Sequence, residues 1–169
     1  TPLHLASLPG HENVVKMLLD AKGINVNSIS NIAVYRTPLI AAIAAGHKNV
    51  VKMLLAHPEI DINLVNYDGS TPLMGAIMNG HAKVVEMLLA KKRIDVNQAD
   101  STGRTPLFLV ASELASELFV GYSITDRWIF KLLLAHPNIK VNEPSINGQT
   151  PLYLASLHGH DQVVKLLLD

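Results

Sequence analysis

The sequence lacks the features of several large classes of protein. It has no cysteine, which excludes a disulfide-stapled fold and cysteine-ligated zinc but leaves the cellular compartment open. Its 14 basic and 14 acidic residues give a formal net charge of zero, without the basic excess typical of duplex-binding proteins. No apolar run approaches the ~18 residues of a membrane helix. We therefore expect a globular domain that neither binds nucleic acid nor inserts into a membrane.

Motifs for catalysis, cofactor binding and metal binding are also missing. There is no phosphate-binding loop, dinucleotide fingerprint or nucleophile elbow. Glu113 and Glu117 are four residues apart on a predicted helix, but paired carboxylates on such a face usually serve solvation. His158 and His160 are close in sequence, yet no third zinc ligand is identifiable. We expect no enzymatic activity, no cofactor and no metal.

What the sequence does contain is a repeat. Thr-Pro-Leu occurs five times at offsets of 36, 34, 34 and 45 residues, beginning at Thr1, Thr37, Thr71, Thr105 and Thr150. A helix-like stretch follows each copy, and four of the five then have a Gly-His pair. A second apolar stretch comes next, and the first four copies close on a short extended segment ending in Asn27, Asn63, Asn97 or Asn142. The chain is therefore built from five related units.

Each part of the repeat predicts a local structure. Thr before Pro predicts a helix start, because the hydroxyl can cap free amides and proline at the first helical position loses no hydrogen bond. Glycine of the Gly-His pair predicts a helix end, since it tolerates the left-handed conformation there. Val14, Val15, Leu18 and Leu19 share one face of a second helix. The Asp-Gly and Thr-Gly sequences near 66–69 and 100–103 are typical of turns.

Two helices and a turn, repeated about every 34 residues with Thr-Pro-Leu-His, resemble the ankyrin repeat. The resemblance covers the whole chain and is fullest at residues 1–6. It implies an all-α fold, an ankyrin-repeat solenoid of five helix-turn-helix units joined by β-hairpin fingers. We expect one domain over 1–169, with repeats at about 1–36, 37–70, 71–104, 105–149 and, partially, 150–169.

The family's histidine, which helps to lock the helix start, survives only at His4. The other four units carry Ile40, Met74, Phe108 and Tyr153 instead. The resemblance therefore implies that these four helix starts depend more on packing.

The finger between repeats one and two departs from the pattern. It is two residues longer than the later fingers, lacks their glycine and has an apolar tip. We expect it to project further than the others.

Repeat four departs further, because it has eleven extra residues, which we assign to an insertion at 114–124. Helical spacing predicts that its first helix continues to about Phe119 and that Thr125-Asp126 caps the next helix. Phe130 takes a core valine position, and we expect Phe119 and Tyr122 to cover Trp128.

The last unit ends in an apolar helix typical of an internal repeat rather than a polar cap. We therefore expect the sequence to be a fragment of a longer array.

Recurrent polar residues have structural interpretations. His11, His47, His81 and His160 are expected to bond their own turns, and His57 and His136 to end helices. The four recurrent asparagines, Asn27, Asn63, Asn97 and Asn142, are expected to cap the loop that follows each extended segment. Their position also resembles the asparagine that some ankyrin domains offer for hydroxylation.

The resemblance implies a partner-binding groove lined by fingers and first helices. Counting from each Thr gives these candidate residues: Ile32, Tyr35, Arg36, Val65, Tyr67, Asp68, Met78, Asn79, Ser101, Thr102, Arg104, Ser112, Glu113, Ile146, Asn147 and His158. Tyrosine and arginine are frequent binding hot spots. The alternative for Ile32, Val34 and Tyr35 is that they fold onto the adjacent finger.

The resulting prediction is a monomeric protein-interaction module with a protein partner that the sequence does not identify. One alternative is the targeting arm of a larger enzyme or of a secreted bacterial or protist effector. Another is a structural spacer. The expected location is intracellular, or a host cell in the effector case.

Overall fold

The computed structural model describes residues 1–31, 35–114 and 124–169, except the side chains of residues 113 and 124–126. Ten helices and no strand occur in these ranges, which confirms the all-α fold class. None of these helices combines the length and apolar character needed to cross a membrane. The chain forms two compact units, Thr1–Ile94 and Asp95–Asp169, and the single domain over 1–169 stays a prediction.

The first unit contains three helix pairs. Its helices are α1 (Pro2–Ser7), α2 (Glu12–Leu19), α3 (Pro38–Ala44), α4 (Lys48–Ala56), α5 (Pro72–Met78) and α6 (Ala82–Leu89). The first helices of successive pairs pack on one another, as do the second helices. Fully buried leucines such as Leu54, Leu73 and Leu88 fill the space between them.

The second unit contains two helix pairs. Its helices are α7 (Pro106–Leu114), α8 (Ile124–Leu134), α9 (Pro151–Leu157) and α10 (Asp161–Leu168). Helix α7 packs against both α8 and α9, and α9 packs against α10. Phe130 is fully buried together with Leu107 and Leu133, which confirms its predicted core position.

The repeated threonines start the first helices as predicted. The hydroxyl oxygens of Thr37, Thr71, Thr105 and Thr150 each accept a hydrogen bond from the backbone N–H three residues later, at 3.1 to 3.2 Å. Thr1 differs, because its hydroxyl lies 2.8 Å from Nδ1 of His4. The one unit that keeps the histidine therefore uses it in place of the backbone cap.

The fingers contain no strand in the described part of the chain. We define them by the closing bond, in which the first residue's N–H donates to the last residue's carbonyl at 2.8 to 3.0 Å. They are the first finger (Ser30–Arg36), second finger (Asn66–Ser70), third finger (Asp100–Arg104) and fourth finger (Ser145–Gln149). Gly69, Gly103 and Gly148 have φ between 74° and 80°, a conformation that glycine adopts without steric cost.

The insertion of repeat four is only partly described. Helix α7 is described to Leu114, and the predicted continuation to Phe119 lies outside the described residues. Helix α8 begins at Ile124, so Thr125 and Asp126 lie in its first turn rather than before it, and their predicted capping role is wrong. Trp128 is half exposed, and its predicted cover, Phe119 and Tyr122, again lies outside the described residues.

Two of the four recurrent histidines, His47 and His81, contact the preceding repeat. The ring Nε2 of His47 lies 3.0 Å from the carbonyl oxygen of Leu8, 39 residues earlier, so the prediction that His47 bonds its own turn is wrong. A Cβ placed on Gly10 would lie 2.5 Å from Nδ1 of His47, and one on Gly46 would lie 3.3 Å from the ring of His81. These histidines therefore lie against the bare glycine of the unit before them.

Among the described residues, no three His, Cys, Asp or Glu side chains are grouped as a metal site would require.

Three of the four recurrent asparagines, Asn27, Asn63 and Asn97, join successive loops. Asn97 donates from Nδ2 to the carbonyl of Asn138 at 2.7 Å, and its Oδ1 accepts the N–H of Lys140 at 2.9 Å. Asn27 makes the same two bonds to Glu59 and Asp61. The structural role is as expected, but the side chain binds the loop of the next repeat rather than capping its own.

Replacing Asn97 with alanine is expected to destabilise the second unit by about 1–2 kcal/mol, because two backbone groups lose their partner. Asn142 is the matched control, since it has the same repeat position in the same unit, is exposed and has no side-chain bond among the described residues. Its alanine variant should change stability by less than ~0.5 kcal/mol. Urea unfolding of both variants measures the difference, and equal losses would contradict the bridging role.

Candidate partner-binding surface

The first helices of the first unit present an uncharged surface. No charged residue occurs in α1, α3 or α5 apart from His4, which is buried. Leu8, Ala44 and Met78 occupy the same position in three successive repeats, and we call them the first-helix stripe. Leu8 and Met78 are each 45% exposed and Ala44 is half-buried. The stripe is therefore apolar surface open to solvent.

Asn79 extends this surface by one residue. It is exposed, and its Nδ2 donates to the carbonyl of Gly75 at 2.8 Å. The side chain is thereby oriented along α5, with its amide nitrogen already engaged.

Arg36 connects the first finger to the second. Its backbone N–H donates to Oδ1 of Asn66 at 3.1 Å, and its Nη1 donates to the carbonyl of Val65 at 3.4 Å. Both Arg36 and Val65 are half-buried. The guanidinium is thus held beside the second finger.

Tyr67 is the exposed aromatic side chain of the second finger. Its hydroxyl donates to the carbonyl of Ser30, while the residue remains 54% exposed. Tyr35, on the first finger, is half-buried, and Ile32 and Val34 lie outside the described residues. The ring of Tyr67 is therefore a fixed aromatic surface, and both interpretations of the first-finger tip stay open.

Asp68 stabilises its own turn. Its two carboxylate oxygens accept the N–H and the hydroxyl of Ser70 at 3.0 and 2.8 Å. Asp68 is exposed, so its charge is also accessible from solvent.

The third finger, in the second unit, is organised around a buried carboxylate. Oδ2 of Asp100 accepts bonds from Nε and Nη2 of Arg104 at 2.8 and 2.7 Å, and its Oδ1 accepts three more from Thr102 and Arg104. Burial by itself would raise the pKa of Asp100, but the hydrogen bonds from Thr102 and Arg104 hold that pKa below its ordinary value. Arg104 is therefore committed to the turn, although part of it remains exposed.

The other candidate residues of the second unit are exposed, except Glu113, whose side chain lies outside the described part of the structure. Ser101, Thr102, Ser112, Asn147 and His158 are exposed, and the side chain of Glu113 is not described. Ile146 is 71% exposed, and its N–H donates to the carbonyl of Thr102 at 3.1 Å. His158 stacks on His160 with ring centroids 6.2 Å apart.

One exposed leucine is missing from the residues that the sequence pattern places in the groove. Leu8 occupies the stripe position in repeat one and is 45% exposed. The pattern takes each first helix together with the finger before it, and no finger precedes α1 in this sequence. The equivalent residue of repeat five, Leu157, is a groove position in that pattern, next to His158, and it is 61% exposed.

Comparison with protein families identifies the repeat. The family described as ankyrin repeats in three copies matches residues 29–100, 59–127 and 93–169, and the single ankyrin repeat matches residues 1–31. No curated protein matches the chain. Ankyrin repeats are generally protein–protein interaction modules and are typically non-catalytic. The matches together span the whole sequence, and the chain belongs to the ankyrin-repeat family.

Proposed function

We propose that the first unit binds a protein partner through the first-helix stripe and the two fingers that precede α3 and α5. The contact residues are those exposed or half-buried along this surface: Leu8, Tyr35, Arg36, Ala44, Val65, Tyr67, Asp68, Met78 and Asn79. The observation that carries the proposal is the solvent-exposed apolar side chains at the ends of the first helices, together with a fixed tyrosine ring in the finger that precedes α5. Apolar area removed from water is the main favourable term in most protein association.

The fixed side chains favour tight binding. The hydroxyl of Tyr67 and the guanidinium of Arg36 are each bonded within the unit. Side chains that are already ordered lose less conformational entropy when a partner arrives. Met78 differs, since methionine is flexible and adapts its shape to a bound surface. The surface thus combines rigid anchors with one adaptable contact.

The second unit offers a further group of candidates for the same partner or another. These are Ser101, Thr102, Arg104, Ser112, Glu113, Ile146, Asn147 and His158. Arg104 is a poor test residue among them, because its loss would also disturb the buried Asp100. Ile146 is the better one, since its side chain is largely exposed.

Replacing Met78 with lysine is expected to weaken partner binding by at least about tenfold, which corresponds to ~1.4 kcal/mol. Binding would then remove the ammonium group of the new lysine from water and bury it against the apolar surface of the partner, which is unfavourable. Met17 on α2 is the matched control, because it is 74% exposed and accepts the same substitution on a second helix. Proteins captured from cells of the source organism by the wild-type chain are compared with those captured by Met78→Lys and Met17→Lys.

A true partner should be retained by Met17→Lys and lost with Met78→Lys, and titration calorimetry with that purified partner then gives the affinity. A partner retained equally by both variants would show that the first-helix stripe is not the binding surface. Circular dichroism confirms that both variants remain folded.

A further inference from the structure

Two asparagines of the chain are followed directly by glycine. They are Asn79, which follows the last residue of α5, and Asn147, in the fourth finger. The side-chain amide of asparagine is most reactive before glycine, because glycine has no side chain to shield its backbone nitrogen. That nitrogen can attack the side-chain carbonyl carbon and expel ammonia. The structure holds the two Asn-Gly pairs differently, so their reactivities can be compared within one chain.

The first pair is held against α5 at both reacting groups. Nδ2 of Asn79 donates to the carbonyl of Gly75 at 2.8 Å. The N–H of Gly80 donates to the carbonyl of Ile77, also at 2.8 Å. For the attack, the side chain must leave its helix carbonyl and the backbone nitrogen must lose its own bond. Both groups are therefore held away from the geometry that the reaction needs.

The second pair lies at the surface of the fourth finger with its side chain unattached. Asn147 and Gly148 are both exposed, and the side chain of Asn147 has no hydrogen bond among the described residues. The N–H of Gly148 donates to the carbonyl of Ser145 at 2.9 Å, within the turn itself. Exposed loop tips open locally at little cost in free energy. The side chain of Asn147 is therefore free to meet the backbone nitrogen when this turn opens.

We propose that Asn147 is a site of spontaneous modification, where the chain converts its own amide into aspartate or isoaspartate. The reaction uses only Asn147, Gly148 and water, and needs no enzyme. It does not depend on the proposed function, and only its effect on a partner rests on that function, because Asn147 is among the candidate contact residues.

The conversion takes two steps. The backbone nitrogen of Gly148 attacks Cγ of Asn147, a C–N bond forms, and the Cγ–Nδ2 bond breaks. The proton of the backbone nitrogen leaves with the amide group as ammonia, and a succinimide ring remains. Water then opens the ring: cleavage at Cγ gives aspartate, and cleavage at the backbone carbonyl carbon gives isoaspartate, whose main chain runs through Cγ. Neither step changes an oxidation state.

The two products affect the fourth finger differently. Both place a carboxylate at its exposed surface, but isoaspartate also adds a methylene group to the main chain. The N–H of Ser145 donates to the carbonyl of Gln149 at 2.8 Å, and that of Ile146 donates to Thr102 on the third finger at 3.1 Å. An additional main-chain atom between Ile146 and Gln149 disturbs this closure. We therefore expect isoaspartate to loosen the fourth finger and aspartate to leave it closed.

Ageing of the full chain without any partner tests the proposal. The purified protein is incubated at mildly alkaline pH, at a temperature at which it stays folded, and its peptides are analysed by mass spectrometry over time. We expect deamidation at Asn147 to be severalfold faster than at Asn79. In concentrated urea the two rates should converge, because each amide then precedes an unhindered glycine in an unfolded chain.

Asn147→Gln is the control variant, because a glutamine side chain closes the corresponding larger ring far more slowly. On anion exchange the wild type should accumulate a more acidic form with time, and this variant should not. Equal rates at Asn147 and Asn79 in the folded chain, or a faster reaction at Asn79, would overturn the proposal. A difference between the sites that persists unchanged in urea would overturn it too, since the neighbouring sequence rather than the fold would then set the rates.

Urea unfolding separates the effect of the charge from that of the lengthened main chain. Freshly prepared Asn147→Asp carries the charge alone and should unfold at the wild-type urea concentration, as followed by Trp128 fluorescence in the second unit. The isoaspartate form, purified from aged protein, should unfold at a lower concentration. Equal midpoints for the isoaspartate form and Asn147→Asp would contradict the loosening of the fourth finger. Since no partner is present, none of these outcomes depends on which surface binds protein.

Discussion

Replacing Gly103 with alanine is expected to destabilise the second unit by about 2–5 kcal/mol. Gly103 has a φ of +76°, in which an alanine costs about 1–2 kcal/mol. The added Cβ would also lie 2.7 Å from the backbone nitrogen of Ile146 and 3.1 Å from the carbonyl carbon of Ser145. Backbone atoms cannot rotate away as a side chain can, so the fourth finger must shift. That shift would break the bond from Ile146 to Thr102 and adds roughly 1–3 kcal/mol.

Gly148 separates the cost of a positive φ from the cost of the steric clash. It occupies the same place in the fourth finger with a φ of +74°, but a Cβ built there has no atom within 4 Å. Gly148→Ala should therefore cost only the conformational term of about 1–2 kcal/mol. Trp128 is the single tryptophan of the chain and lies in the second unit, so its fluorescence during urea unfolding reports on this unit directly. Equal destabilisation by the two substitutions would contradict the close approach of the third and fourth fingers.

The helices and their ends could be predicted from the sequence because they depend on neighbouring residues. Thr before Pro places a hydroxyl three residues from a free amide, and Thr37, Thr71, Thr105 and Thr150 all use it. The glycines predicted to end helices and form turns, such as Gly46 and Gly69, have positive φ. Such signals act over a few residues, and the five copies of the repeat lead to the same prediction of helix starts and ends.

Contacts between repeats could not be predicted in the same way. Nε2 of His47 lies next to Leu8, and Nδ2 of Asn97 donates to Asn138, across 39 and 41 residues of sequence. The hydrogen-bond partner of each polar side chain depends on how one repeat packs on the next. The sequence pattern shows only which residue is present at each repeat position. The sequence therefore identifies these residues as structural but assigns them to the wrong partners.

The candidate surface shows the same division. Counting along the repeat finds Tyr67 and Met78, because the exposure of a residue follows from its position in the repeat. It does not show that the hydroxyl of Tyr67 is bonded to Ser30 or that Arg104 neutralises a buried Asp100. These bonds decide whether a residue is free to contact a partner.

Replacing Phe130 with alanine is expected to destabilise the second unit by about 3–5 kcal/mol. Phe130 is fully buried in α8, where the other repeats of this chain have valine. It lines a small apolar pocket of about 40 Å³ with Leu114, Val163 and Leu166. Removal of the ring would join a ring-sized void to this pocket, and the cost of such a cavity grows with the volume that neighbouring side chains cannot fill.

Trp128→Ala is the control, because this larger aromatic side chain lies two residues earlier on the same helix but is 51% exposed. It should cost less than Phe130→Ala, at about 1–2 kcal/mol, since less apolar area is lost from the interior. Urea unfolding of both variants followed by circular dichroism gives the two free energies. Phe130→Val, which restores the residue of the other repeats, should recover only part of the loss, because repeat four packs around the larger ring. A full recovery would show that its core closes around valine, and that the aromatic residue is not required by the packing of α7, α8 and α10.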